Sequence, residues 1–188
     1  MDRDYRDIIR RCLEGERTAQ KALYDALSGK MYGICLRYAG NEAEARDMLQ
    51  EGFIRVFQSL DRFRFEGSFE GWVRRIIVNT ALERLRKEDY MTTSIEDADF
   101  QDPPGRDDVE AGLSVQDLLE MIRELSPQYR MVFNLYAIEG YTHKEISEML
   151  NISEGTSKSN LSRARTILQE RIKKLDKLVG QSENGKRR

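Results

Sequence analysis

The sequence predicts an all-α protein of two small helical domains joined by a flexible acidic linker. Three observations support this prediction. Apolar residues recur at helical spacing along most of the 188 residues, and the chain has only three prolines. A Ser/Thr/Asn residue followed three positions later by Glu, a pattern typical of helix starts, precedes two of the predicted helices. Between the two helical halves lies a segment of dense negative charge, which is typical of an extended linker.

The acidic segment divides the chain. From Glu88 to Glu110 there are nine acidic residues and one base, Arg106, around Pro103-Pro104-Gly105. We therefore predict four parts in chain order: a first domain at 1–88, the linker at 89–112, a second domain at 113–178 and a frayed polar tail at 179–188.

Charge and composition exclude several function classes. No apolar run is long enough to span a bilayer and the first residues are highly charged, so we expect a cytoplasmic protein without membrane insertion. Cys12 and Cys35 lie far apart and His143 is the only histidine, so a zinc site or a Cys–His pair lacks parts. We expect two free buried thiols, a polar surface histidine, no metal, no cofactor and no enzymatic activity.

Three helices are predicted ahead of an aromatic loop. The first covers residues 4–13 and the second about 18–38, with a break near Gly29. The third begins at Asn41, with Glu44 three residues later, and runs to about Leu60. The residues expected to face the core are Ile8, Ile9, Cys12, Leu13, Ala19, Ala22, Leu23, Leu27, Met31, Ile34, Cys35, Ala45, Leu49, Phe53, Val56, Phe57 and Leu60.

The segment DRFRFEGSFEGW that follows is rich in aromatic residues. Such a loop either folds back into the core or stacks on exposed bases while arginines hold the nucleic-acid backbone. Core anchoring is favoured for Phe63, Phe69 and Trp72. The helix after it carries a basic stripe that is compatible with tracking a DNA strand and equally with a solubilising face. That stripe consists of Arg74, Arg75, Asn79, Arg84, Arg86 and Lys87.

The second domain is predicted to contain four helices. The first runs from about Leu113 to Leu125, with Val115, Leu118, Leu119, Ile122 and Leu125 aligned on one face. Ser126-Pro127 starts the next helix, because proline at the first helical position loses no useful amide. That helix is expected to bury Val132, Phe133 and Tyr136 and to end at Gly140.

The last two helices have the spacing of a helix-turn-helix. Thr142 and Glu145 form a capping-box pattern, Asn151 suits a left-handed corner, and Ser153 can cap the second helix. The second helix of such a motif can enter the DNA major groove, although any αα-hairpin with a polar face has a similar pattern. Its predicted outward face is donor-rich: Lys158, Ser159, Asn160, Ser162 and Arg163.

Taken together, these motifs resemble the extracytoplasmic-function (ECF) subfamily of bacterial RNA polymerase sigma factors. Asp47 to Phe57 resembles the D-x-x-Q-E-x-F segment of region 2.2, and Phe63 to Asn79 resembles region 2.3 and the start of region 2.4. LSPQYRMVFNLY and EGYTHKEISEML resemble regions 4.1 and 4.2, and GTSKS with LSRAR resembles the recognition helix. Nothing resembles the region 3 domain of primary sigma factors.

The resemblance implies an alternative sigma factor that binds core RNA polymerase and promoter DNA, with an anti-sigma factor as a further partner. The implied polymerase-binding residues are Asp47, Gln50, Glu51, Phe53 and Arg55. Those implied for melting and recognising the minus-ten element are Arg64, Phe65, Glu66, Ser68, Phe69, Arg75, Asn79 and Arg86. Those implied for the minus-thirty-five element are Thr156, Lys158, Ser159, Asn160 and Arg163.

Two positions depart from the family pattern. Position 157 usually carries a buried aliphatic residue, so Ser157 is expected to loosen the corner or to turn outward. Position 160 is often arginine, so Asn160 suggests a different base preference. Two other functions remain compatible with the sequence: a helix-turn-helix repressor or activator that binds a palindrome as a dimer, and a protein that mimics a sigma factor and sequesters regulators.

Overall fold

The computed structural model describes the backbone of residues 5–92 and 114–185, and the side chains of 5–86 and 114–175. The chain divides into two units, Met1–Lys87 and Glu88–Arg188. Every element of the described residues is helical, which confirms the predicted all-α class. In chain order the helices are α1 (Arg6–Leu13), α2 (Arg17–Tyr38), α3 (Glu42–Gln58), a 3₁₀ turn (Leu60–Arg62), α4 (Phe69–Thr92), α5 (Val115–Arg123), α6 (Pro127–Phe133), a π-helical turn (Asn134–Ile138), α7 (His143–Leu150) and α8 (Glu154–Gly185).

Two helices run past the domain limits that the sequence suggested. α4 continues to Thr92, beyond the expected start of the linker at residue 89. The rest of that acidic segment, 93–112, lies outside the described residues. α8 continues to Gly185, beyond the expected end of the second domain at residue 178.

The turn between α1 and α2 is held by charge and by backbone conformation. Gly15 has a φ of +85°, which glycine adopts without steric cost. Arg11 donates to both carboxylate oxygens of Glu16, at 2.6 Å and 2.5 Å. Leu13, predicted to be buried, is 54% exposed, because it is the last residue of α1 and the chain turns away directly after it.

α2 is one continuous helix, so the predicted break near Gly29 is wrong. A glycine costs a helix interior only about 1 kcal/mol, and a long buried stripe spans both sides of it. The buried residues of this stripe are Ala19, Leu23, Leu27, Met31, Ile34, Cys35 and Tyr38. Ala22, also predicted to be buried, is exposed, because its position on the helix lies to the side of this stripe.

α3 begins as predicted and lies very close to α4. The Asn41 side chain accepts a hydrogen bond from the Glu44 amide at 2.9 Å. Gly52 is buried against α4, where an added Cβ would lie 2.3 Å from Ile77 Cδ1. The buried face of α3 also includes Met48, so it is wider than the stripe that the sequence predicted.

The core of unit 2 is formed by α5, α6 and α8. Its buried cluster consists of Met121, Ile122, Leu125, Ala164 and Leu168. Val115 and Leu118, predicted to lie on the buried face of α5, are 78% and 38% exposed. The reason is that only the last turn of α5 contributes buried residues to this cluster.

A π-helical turn changes the register after α6. Pro127 is the first residue of α6, as predicted, although the Ser126 side chain makes no capping bond. Because the π-turn adds one residue to the helical turn, the buried side chains are not those that a regular helix would bury. Phe133 and Tyr136, predicted to be buried, are only partly so, whereas Asn134 and Leu135 are completely buried. Gly140, at φ +79°, ends the segment as predicted.

Candidate nucleic-acid and polymerase-docking surfaces

The helix-turn-helix forms with the caps that the sequence predicted. The Glu145 amide donates to Thr142 Oγ1 at 3.3 Å, and the Thr142 amide donates to Glu145 Oε2 at 2.8 Å. Asn151 ends α7 in the left-handed conformation, at φ 54° and ψ 46°. The Thr156 amide then donates to Ser153 Oγ at 2.9 Å, which caps α8. Local hydrogen bonds therefore define where both helices start and how the corner turns.

His143 and Ser157 join the two helices of this motif. Their Nδ1 and Oγ atoms lie 2.9 Å apart, and the imidazole stacks on the Tyr136 ring with centroids 4.5 Å apart. Ser157 is completely buried, so the expectation that it turns outward is wrong, whereas the expectation that it loosens the corner stays a prediction. His143 is half-buried rather than a plain surface residue. Spacing could not reveal this pair, since the two residues are 14 positions apart.

The exposed side of α8 carries four of the five residues predicted for the minus-thirty-five element: Thr156, Lys158, Ser159 and Arg163. The fifth, Asn160, is only 8% exposed, so its predicted outward position is wrong. It flanks the stripe by which α8 contacts the core, and that stripe includes Ser157, Leu161 and Ala164. Lys158 Nζ lies 3.8 Å from Glu154, and Arg163 Nη1 donates to Tyr129 Oη at 3.0 Å.

In the aromatic segment that joins the 3₁₀ turn to α4, two phenylalanine rings are buried in the core and one is exposed. Phe63 and Phe69 are 8% and 5% exposed, and Phe69 stacks on Trp72. The ring of Phe69 therefore belongs to the core, as the anchoring prediction has it, and its assignment to DNA contact stays a prediction. Phe65 is 47% exposed at φ 57°, an unusual conformation for a bulky residue, and its ring meets Phe63 edge-on at 5.0 Å. The Arg6 guanidinium lies 5.7 Å from the centroid of the same ring.

Further polar residues of this loop and of α4 face solvent. The remaining residues predicted for the minus-ten element are all exposed: Arg64, Glu66, Ser68, Arg75, Asn79 and Arg86. Asn79 also lines an open groove of about 360 Å³ between the end of α3 and α4, together with Arg55, Gln58, Ser59, Arg62, Ile76 and Glu83. The groove thus combines amide, hydroxyl, guanidinium and carboxylate groups with one aliphatic side chain.

The outer face of α3 is organised by Arg55. Its guanidinium donates to Glu51 Oε1 and to Glu83 Oε2 of α4, both at 2.6 Å. The hydrogen bond to Glu83 raises the pKa of Arg55 further above its usual value. Asp47 is exposed, and its Oδ2 atom lies 3.4 Å from Arg84 Nη2. Gln50, three residues later on α3, is also exposed.

Phe53, predicted to contact the polymerase, does not belong to this outer face. It is only 3% exposed, and its ring packs against Tyr24 with centroids 4.6 Å apart. Phe53 therefore supports α3 from the core side, and its direct contact with the polymerase stays a prediction.

The described part of the chain offers neither a membrane span nor a metal cluster. In residues 5–92 and 114–185, no helix has the length and hydropathy needed to cross a membrane. No group of three or more His, Cys, Asp or Glu side chains in the same ranges could hold a metal ion. Cys12 and Cys35 are free and buried, as predicted. Burial raises the pKa of the Cys35 thiol to about 12, so this thiol stays protonated at neutral pH.

Comparison with known proteins identifies relatives along most of the chain. The family profile described as "Sigma-70 region 2" matches residues 23–90, and that described as "Sigma-70, region 4" matches residues 115–168. The ECF RNA polymerase sigma factor SigW of Bacillus subtilis is 30% identical over 183 residues, which cover 89% of this chain and 96% of SigW. The ECF RNA polymerase sigma factor SigE of Mycolicibacterium smegmatis is 31% identical over 161 residues, which cover 81% of this chain and 61% of SigE.

A solved structure is similar in fold. The sigma factor RpoE of Bartonella quintana, determined in complex with the anti-sigma factor NepR, matches with a TM-score of 0.53 and 20% identity. The match covers 81% of this chain and 96% of RpoE. The two family profiles cover the helices that carry the surfaces described above, and SigW matches across nearly its whole length. This chain therefore belongs to the ECF family of RNA polymerase sigma factors, the alternative sigma factors that direct RNA polymerase to specific promoters.

Proposed function

We propose that this sigma factor uses three surfaces: α3 binds core RNA polymerase, the aromatic loop with α4 holds the minus-ten element, and α8 reads the minus-thirty-five element. The observation that carries the proposal is the helix-turn-helix of unit 2. Its caps and its left-handed corner at Asn151 leave a donor-rich side of α8 in solvent. A second helix presented in this way is the element that enters the major groove in helix-turn-helix proteins.

For the minus-thirty-five element we assign Thr156, Lys158, Ser159 and Arg163. All four are exposed on α8, and each offers at least one donor to a base edge or a phosphate. A good bidentate contact to a base discriminates by about 1–3 kcal/mol. Asn160 is left out because its side chain is buried.

For the minus-ten element we assign Phe65 as a platform for an unstacked base, together with exposed polar residues of the loop and of α4. Flipping a base costs a few kcal/mol, and stacking on an aromatic ring returns about 1–3 kcal/mol per base. The left-handed backbone at Phe65 supports this role, because strained conformations cluster at functional sites. The polar residues are Arg64, Glu66, Ser68, Arg75, Asn79 and Arg86.

For the polymerase contact we assign Asp47, Gln50, Glu51 and Arg55. Arg55 is hydrogen-bonded to two carboxylates from two helices, which favours one orientation of its guanidinium before it meets a partner. A preorganised surface loses less side-chain entropy on binding than a flexible one does. Replacing Gln50 should therefore disturb only the docking contact, whereas replacing Arg55 should also loosen the link between α3 and α4.

We further infer that the chain acts in the cytoplasm, where bacterial RNA polymerase works, and that it performs no catalysis of its own. An anti-sigma factor is proposed as a regulatory partner. The support is the similar fold of RpoE, which was solved in complex with the anti-sigma factor NepR.

Run-off transcription tests the proposal. Core RNA polymerase of the source bacterium, purified without sigma factors, is mixed with this chain and fragments of that organism's DNA. We expect discrete transcripts that core polymerase alone does not produce. Arg163→Ala should reduce transcription from templates that depend on the minus-thirty-five element while leaving core binding in a pull-down unchanged. Absence of transcripts from every fragment would contradict the proposal.

The two alternative functions, a DNA-binding repressor or activator and a sequestering protein, predict different results with the same protein, polymerase and DNA. A repressor or activator would shift palindromic duplexes in a gel without polymerase, whereas the proposed sigma factor should bind duplex DNA weakly on its own. A sequestering protein would bind core polymerase in the pull-down and still yield no transcripts.

A further inference from the structure

We propose that Tyr129 of α6 is a positioning residue that orients Arg163 of α8 for recognition of the minus-thirty-five element. The inference rests on the proposed role of Arg163 in DNA binding. Arg163 Nη1 donates a hydrogen bond to Tyr129 Oη at 3.0 Å. These residues are 34 positions apart, so the bond links the recognition helix to a helix that precedes the helix-turn-helix.

The phenol oxygen has a fixed position because its ring is anchored. Tyr129 is half-buried and packs against the core cluster of unit 2, to which α8 contributes Ala164 and Leu168. Arg163 directly precedes the completely buried Ala164, and its own side chain is exposed. The backbone of α8 and the Tyr129 ring are therefore held by the same core, and the guanidinium is held between them at the solvent boundary.

This arrangement has a direct consequence for recognition. An arginine side chain is flexible, and a base contact must immobilise it, which costs affinity. A guanidinium that is already oriented loses less conformational entropy on binding, so its contact with a base costs less affinity. Its planar fork also distinguishes bases by geometry, as in the bidentate contact to guanine O6 and N7. Fixing the plane of the fork therefore strengthens binding to the correct base more than binding to an incorrect one.

The test uses Tyr129→Phe in the full chain, assembled with core polymerase. This change keeps the anchored ring and removes only the hydroxyl that accepts the bond. The matched control is Tyr141→Phe, which removes a hydroxyl from another half-buried ring of the same unit. The DNA probe is the duplex that wild-type holoenzyme enriches from a pool randomised over the minus-thirty-five region. A second probe has this region scrambled.

We expect Tyr129→Phe to weaken binding to the enriched duplex by about three- to tenfold, with little change on the scrambled duplex. Tyr141→Phe should match the wild type on both. In an Arg163→Ala background, Tyr129→Phe should have no further effect, because the group that it positions is gone. A purely structural role would instead lower the melting temperature and weaken both probes equally.

The outcomes separate this inference from the proposal on which it rests. If Arg163→Ala leaves binding to the enriched duplex unchanged, the assignment of Arg163 to DNA contact is overturned, and the inference with it. If Arg163→Ala weakens binding but Tyr129→Phe equals the wild type, only the positioning role is overturned. An equal loss from Tyr129→Phe in both the wild-type and Arg163→Ala backgrounds would also overturn it.

Discussion

At the residue scale, the contact between His143 and Ser157 is central to the helix-turn-helix. Ser157 is completely buried, and His143 Nδ1 lies 2.9 Å from its Oγ atom. A buried hydroxyl that loses its partner costs about 1–3 kcal/mol. The same imidazole stacks on Tyr136, and aromatic pairs contribute about 0.5–1.5 kcal/mol beyond the area they bury. One half-buried side chain therefore supports both the start of α7 and the start of α8.

We predict that His143→Ala destabilises unit 2 by about 2 kcal/mol. Urea unfolding followed by circular dichroism should show the loss. Fluorescence of Trp72, the only tryptophan, should not show it, because Trp72 lies in unit 1. Adding Ser157→Ala to His143→Ala should restore part of the stability, since the buried hydroxyl is then removed. If the second change instead destabilises further, the hydrogen bond is not the source of the effect.

The Glu16 carboxyl should make the stability of the α1–α2 turn depend on pH in the acid range. Hydrogen bonds from Arg11 and then Thr18 lower the pKa of its carboxyl to about 2, from a usual value of 4.5. A lowered folded-state pKa stabilises the protein above the unfolded-state value, and this stabilisation is lost as pH falls through the folded-state value. The Glu16 contribution is therefore present above pH 4.5 and disappears toward pH 2.

We accordingly predict that Glu16→Gln lowers the melting temperature at pH 7, and that the gap to the wild type narrows between pH 4.5 and pH 2. Thermal unfolding followed by Trp72 fluorescence measures this, because the turn and the tryptophan belong to the same unit. A gap of constant size across that interval would mean that the Glu16 carboxylate does not stabilise the turn by its charge.

At the scale of elements, two helical glycines should respond in opposite ways to the same substitution. Gly29 in α2 has nothing within 4 Å of an added Cβ, whereas Gly52 in α3 would bring one to 2.3 Å from Ile77 Cδ1. Gly29→Ala should stabilise unit 1 by about 0.5–1 kcal/mol through helix propensity. Gly52→Ala should destabilise it by about 1–2 kcal/mol, because overpacking exceeds that gain.

The urea unfolding midpoint of each variant, measured by Trp72 fluorescence and compared with that of the wild type, tests both predictions. Each variant is the control for the other. Gly52→Ala combined with Ile77→Val should recover stability relative to Gly52→Ala alone, because valine lacks the Cδ1 atom that clashes. If both glycine variants stabilise the protein, α4 can move away from α3 at little cost and the close approach is not tightly packed.

The elements also show what sequence could and could not predict. The caps of α3, α7 and α8 and the left-handed Asn151 were predictable, because each depends on residues within three or four positions of one another. The burial of Asn160 was not, because it depends on which side of α8 meets the core. The π-turn at Asn134–Ile138 shifted the buried face of its segment in a way that a regular period does not anticipate.

The same distinction applies to the candidate sites. Exposed residues such as Lys158 and Arg75 were predictable from amphipathic spacing, and Asp47 and Gln50 from the family motif. Phe53 and Phe69 belong to motifs that also serve the core, so a motif alone could not separate support from contact. The bond between Tyr129 and Arg163 joins residues 34 positions apart, and only the packing of α6 with α8 reveals it.

At the scale of the whole molecule, the chain consists of two units that each bury a core of their own. Leu23, Met31 and Val56 are buried in unit 1, and Met121, Ile122 and Leu168 in unit 2. The surfaces proposed for the polymerase and the minus-ten element lie in unit 1, and that for the minus-thirty-five element lies in unit 2. Covalent linkage therefore makes the second DNA contact intramolecular once the first has formed.

We predict that separating the chain into residues 1–92 and 114–188 leaves two folded fragments but uncouples their DNA contacts. Linking two binding modules makes the second binding event intramolecular, with an effective concentration up to the millimolar range and linkage gains of roughly 10²–10⁴. Mixed at about 1 µM each, a concentration well below that range, the fragments should give at least roughly 10²-fold less run-off transcription than the intact chain. Circular dichroism must first show that both fragments are helical, and residues 1–92 should still bind core polymerase in a pull-down. Transcription equal to that of the intact chain would show that the two units reach the promoter independently and that their linkage contributes nothing to initiation.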